Sequence, residues 1–173
     1  MTKVKVKVIG IAPLLMNRFH IETNGKGRTK RVYDPKEEAE KKAYKTTEGK
    51  LFLPNTHFKA SLVKASTDFK MIGKKSYRDY IRSGIFIEEE QIILNQQNYE
   101  IHEEPVVIQR NRVMSWRPKF KEWSCEFTIN IEDDMINSQI LKEILESAGK
   151  YKGVGDHRPE YGRFKIDSYE ITS

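Results

Sequence analysis

The chain has 173 residues, 20.3 kDa, 31 Lys plus Arg against 25 Asp plus Glu, a net charge of +6 and a pI near 9.2. That length supports one domain, 1–173, with its own hydrophobic core, and the single Cys125 excludes an internal disulfide and offers no zinc-ligand spacing. The start, MTKVKVKVIG, lacks the apolar centre of a signal peptide, and no run reaches the ~18 apolar residues of a spanning helix. The expectation is a soluble, cytoplasmic protein with no membrane partner, no metal and no cofactor.

In chain order, Lys3 to Ile9 alternates Lys with Val and predicts a half-buried strand with three lysines on its far face. Pro13 breaks the apolar continuation, and 20–33, with Lys26, Arg28, Lys30 and Arg31 among glycines, predicts a basic loop. Asp34-Pro35 predicts a short helix start, with Glu37 and Glu38 placed to pair with Lys41 and Lys42. LFLP at 51–54 predicts a strand, followed by a helix capped by Asn55 or Thr56 whose Phe58, Leu62, Ala65 and Phe69 share the core face. Ser76 to Asp79 has capping-box form and Gly84 closes that helical turn; Ile85 to Leu94 and Pro105 to Gln109 read as strands separated by the polar QQNYEIHEE. Alternation over 123–131 predicts the clearest strand in the chain, then a helix Ser138 to Ala148 with Gly149 as its C-cap, and a last strand through Phe164, Ile166, Tyr169 and Ile171. This order suits an α+β, ferredoxin-like (RNA-recognition-motif-like) antiparallel sheet with helices on one face and a basic hairpin, 105–121, inserted.

Two basic stretches point to polyanions. Between the last helix and the last strand, AGKYKGVGDHRPEYGRF carries Gly149, Gly153, Gly155 and Gly162, whose backbone amides could turn toward an anion, with Lys150, Lys152, Arg158 and Arg163 as charge-assisted donors. The alternative is a tight turn returning the last strand to the sheet, with Arg158 or Arg163 paired to Asp156 or Glu160. The spacing fits neither a Walker loop nor a dinucleotide fingerprint. QRNRVMSWRPKFK then gives Arg110, Arg112, Arg117, Lys119 and Lys121 with Trp116 and Phe120 interleaved and no acid. Phosphate neutralisation together with base stacking, worth about 1–3 kcal/mol per base, is what single-stranded nucleic acid requires; the alternative is a solvated hairpin with both aromatics tucked into the core. The four histidines stand singly, and His157, in the glycine loop, is the candidate for a catalytic acid or base.

LPNTHFKASLVKAS, PKFKEWSCEFTINI, ILKEILESAG and KGVGDHRPEYGRFKI together resemble the repeat-associated mysterious protein (RAMP) superfamily of CRISPR-associated proteins, particularly its backbone subunits, in a small, stand-alone, phage-type form. That family opens its first helix with a strand, Pro-Gly-Ser, hydrophobic, Lys-Gly element, and carries a glycine-rich loop ending Gly-x-Gly-Arg before its last strand. Here Pro54 and Lys59 keep the first frame, with Asn55 and Ala60 in place of the glycines; Gly153-Val154-Gly155 and Gly162-Arg163 match the second around a longer insertion. The resemblance implies single-stranded RNA or DNA held across the core, with Lys59 and the glycine loop near the backbone, head-to-tail self-association along the strand, and 105–121 as a protruding thumb. The loop aspartate with which some members cut RNA has no counterpart here. The leading expectation is therefore a non-enzymatic nucleic-acid-binding module. The alternatives are a metal-independent endoribonuclease using His157 or His20 with a lysine, and an assembly protein whose basic loops meet an acidic partner chain.

Overall fold

The computed structural model describes residues 1–20 and 33–172, so the expected basic loop lies outside the described residues apart from its ends. The elements are β1 (Thr2–Gly10), β2 (Leu14–Leu15), α1 (Pro35–Lys41), β3 (Phe52–Pro54), α2 (Asn55–Ser66), α3 (Arg78–Gly84), β4 (Ile85–Ile87), β5 (Gln91–Ile93), β6 (Glu100–Ile108), β7 (Asn111–Phe120), β8 (Ser124–Ile131), α4 (Ser138–Ser147) and β9 (Phe164–Thr172), with one π-helical turn, Ala148–Lys152, closing α4. This is a mixed α+β chain whose strand pairs are antiparallel. The main sheet runs β4-β8-β1-β9, a second sheet runs β2-β7-β6, and β3 pairs with β5.

Val4, Val6 and Val8 on β1 and Phe127, Ile129 and Ile131 on β8 face the same side, as the alternation requires, and α2 and α4 supply the other half of the core. Phe58 of α2 stacks at 4.6 Å on Phe127 and 5.5 Å on Phe164, while Leu141, Ile144 and Leu145 of α4 are fully buried. Each such side chain contributes roughly 1.5–3 kcal/mol by leaving water. The opposite face of the main sheet is open and charge-matched. Lys3 pairs with Glu88 at 2.6 Å, Lys7 with Asp167 at 3.8 Å, and Lys5 and Lys7 lie across from Glu170 and Glu126 in the register. The basic surplus therefore sits elsewhere.

Several local expectations change. Ile85 to Leu94 is two strands in two sheets, and QQNYEIHEE is not a separator, because Glu100–Ile108 is the outer strand of a long hairpin. α2 starts from Pro54 with no side-chain cap; Asn55 instead donates its N–H to the Glu90 carbonyl at 3.1 Å. Phe69 lies past the end of α2 and packs partly buried against the core. Ser76 accepts from Arg78 N–H at 3.4 Å, two residues on, so the capping box does not form. Gly149 lies inside the π-turn, and Gly153 at φ 75° ends it. The Asp34 cap is present, accepting from Lys36 N–H at 3.0 Å.

Candidate nucleic-acid interface

β6 and β7 pair from Glu100↔Lys119 to Ile108↔Asn111, joined by Gln109 and Arg110 at φ 48° and 67°, the left-handed pair of a two-residue hairpin turn. The base of the hairpin is packed, with Phe120 and Ser115 buried and the Trp116 ring 6.1 Å from Tyr33. The distal half leaves the body of the protein. Val107, Ile108, Val113 and Met114 stand 68%, 57%, 39% and 43% exposed, beside exposed Arg110 and Arg112. Apolar side chains thus project from both faces of a strand pair whose tip is cationic.

The glycine loop is more occupied than its composition implies. Gly153 N–H donates to Ala148, Val154 N–H to Gly162, Asp156 N–H to Leu15, Tyr161 N–H to His157 and Gly162 N–H to Pro13, all to backbone carbonyls at 2.7–3.1 Å. The glycines are there for close packing: a Cβ on Gly155 (φ 80°) would lie 2.6 Å from Leu14 and the Leu15 carbonyl, and one on Gly162 (φ 82°) would overlap the Val154 carbonyl oxygen. The loop is a folded plug, and the Gly153 amide is not free to cradle an anion. Its cations remain at the surface: Arg158 is exposed, Lys152 and Arg163 are half-buried, and the Arg163 carbonyl accepts from Ile11 and Ala12.

Plug and hairpin meet through side chains that the sequence leaves unpaired. Arg117, 11% exposed, places Nη1 2.8 Å from Asp156 and 3.8 Å from Glu104, so its charge turns inward, and Asp156 pairs with neither Arg158 nor Arg163. His102, across from Arg117 on β6, lies 3.4 Å from Glu104 and 5.4 Å from the Tyr161 ring; His157 stacks against Tyr161 at 5.6 Å, and Lys119 sits over the same ring at 5.9 Å. At the first turn of α2, His57 packs edge-on against Tyr44 at 5.4 Å; burial, then the nearby Arg158 charge, holds its pKa down, and burial pushes the Tyr44 hydroxyl up. His102, His57, Tyr44 and Tyr161 carry no local signal in sequence. Among the described residues no three His, Cys, Asp or Glu side chains gather as metal ligands would.

Lys59 stands apart from this junction. Its Nζ donates to the Ile85 carbonyl and lies 5.1 Å over Phe86, so its contacts are with β4, and burial lowers its pKa to about 8. A lysine whose pKa falls from 10.5 to about 8 binds fewer protons folded than unfolded between those values, so stability rises with pH across that window. Subtracting the unfolding midpoints of Lys59→Met from those of the native chain should leave a difference that climbs from pH 8 to 10.5. A flat difference would mean that Lys59 is as well solvated folded as unfolded.

In comparisons with known proteins, no family model matches the chain and no curated protein matches its sequence.

Proposed function

We propose that the chain is a single-stranded nucleic-acid-binding module of ferredoxin-like, RAMP-like build that associates with further copies along its ligand. The observation that carries the reading is the hairpin: two exposed arginines at a tip whose Val107, Ile108, Val113 and Met114 are large apolar side chains left exposed. The arginines neutralise phosphates and the apolar tip enters between bases. Lys119, Lys152 and Arg158 extend the cationic track past the glycine plug. The strand order β4-β8-β1-β9 with α2 and α4 on one face supports the ferredoxin-like part.

The test is fluorescence anisotropy with labelled single-stranded RNA, single-stranded DNA and duplex DNA over a salt series. Binding should favour single strands and weaken with salt by about 0.7 log units per log unit for each phosphate contacted. Arg110→Ser with Arg112→Ser should then lower both the affinity, by about 10-fold, and the slope. Equal binding to duplex and single strands, or none to either, sinks the reading.

A second reading, metal-independent RNA cleavage, draws on His102 and His157 flanking Tyr161 beside Lys119. Two imidazoles beside a bound strand suit proton removal from a 2′-hydroxyl and return to the leaving oxygen. Incubating the same RNA with the protein in chelator decides it: intact RNA dismisses cleavage and leaves binding standing.

A further inference from the structure

Residues 64–82 hold six cations, Lys64, Lys70, Lys74, Lys75, Arg78 and Arg82, against Asp68 and Asp79, a surplus of four in a chain whose total is +6. All six are exposed. Between them a tight turn is held by Met71 N–H donating to Lys75 at 2.7 Å and Tyr77 N–H donating to Phe69 at 3.0 Å, and Phe69, Tyr77 and Tyr80 anchor its stem against the core. The turn presents Ile72, 99% exposed, at its crest. Arg78 and Arg82 follow one helical turn apart on α3, about 5–6 Å between their Cβ atoms. Six exposed cations thus lie within 64–82 on both sides of an apolar crest, two of them on one face of α3.

This segment is separate from the hairpin and the plug. His57, at the first turn of α2, sits beside Tyr44 and feels Arg158, whereas Lys64 is in the last turn, roughly 10 Å further along the helix axis. Resting on the reading above, we propose that residues 64–82 form a second contact for the same single strand, with Lys70, Lys74, Arg78 and Arg82 on phosphates and Ile72 against the faces of bases. Six exposed cations spread over the end of α2, the turn and α3 fit a polyanionic chain better than a point charge. An apolar side chain fully out of the fold also gains from the displaced water at a base step.

The experiment uses the full chain and oligouridylates either too short to span α2 or several times longer. Lys74→Gln with Arg78→Gln and Arg82→Gln should bind the long strand about 10-fold more weakly, with a salt slope smaller by about 2, and leave the short strand, held at the hairpin, within about 2-fold. Ile72→Ser should weaken long-strand binding about 3-fold with the slope unchanged, since no charge is lost. If both variants bind the long strand as the native chain does, the second contact is wrong, and the reading of the hairpin survives only if Arg110→Ser with Arg112→Ser still binds less. If the native chain binds no strand, both fall together. Sedimentation with phosphatidylglycerol vesicles that Ile72→Ser abolishes, alongside unchanged strand affinity, would overturn the proposal and give the segment to a lipid surface.

Discussion

Gly162→Ala should destabilise the protein by about 4 kcal/mol or more, the range reached only by a few mechanisms acting together. Three act here. Gly162 has φ 82°, which an L-residue adopts at a penalty of about 1–2 kcal/mol. A Cβ would overlap the Val154 carbonyl oxygen, which is backbone and cannot rotate away. Relief of that overlap would pull apart two hydrogen bonds, Val154 N–H to Gly162 and Gly162 N–H to Pro13, that fix the plug against itself and against the segment before β2. Gly73→Ala is the internal control: its φ is 81°, with nothing within 4 Å of an added Cβ, so it reports conformational strain alone. Denaturant midpoints of the two variants separate the terms, and a Gly162→Ala loss no larger than that of Gly73→Ala would mean that the plug yields without breaking.

The core elements are legible in the sequence where one face is buried and the other is not. β1 alternates Lys and Val because β8 and β9 flank it while α2 and α4 cover one side; β8 repeats the pattern at Cys125, Phe127, Ile129 and Ile131, all buried. β6 is legible only over Pro105 to Ile108; its first half is not, because the half-buried positions 102 and 104 carry polar His102 and Glu104 while Ile101 is exposed, so hydrophobicity does not follow burial, and Pro105 sits there because an outer strand tolerates a missing N–H. The break between β4 and β5 is equally silent, because Glu88 and Glu89 leave the ladder through contacts with Thr128 that only the fold supplies.

The same division runs through the candidate site. Arg110 and Arg112 are recognisable as cations without nearby acids, and their exposure follows from the hairpin they close. The glycines are recognisable as special backbone, but composition does not distinguish amides turned toward a ligand from amides turned toward Leu15, Pro13 and Ala148. Histidines that look solitary along the chain converge on Tyr161 because β6 and the plug are neighbours, a long-range fact with no local trace.

Arg117 is the residue at which sequence and geometry disagree most about role, and its removal should have the second-largest effect. Read as one cation among five on a basic stretch, it belongs on a phosphate; in the fold it is 11% exposed and points at Asp156. Breaking a fully buried pair costs about 3–5 kcal/mol, and with Asp156 30% exposed the expected loss for Arg117→Met is nearer 2 kcal/mol. Arg117→Met with Asp156→Asn should recover most of that, because the nearer carboxylate is then no longer a charge without its partner, while Glu104, 3.8 Å from Arg117, keeps its contact with His102 at 3.4 Å. Binding gives the sharper discrimination. If Arg117 holds the hairpin base on the plug, Arg117→Met lowers affinity for a single strand while leaving the salt slope where it was, since no phosphate contact is lost. If its guanidinium instead swings out to a phosphate, the slope falls by about 0.7 and the double variant binds no better than the single one.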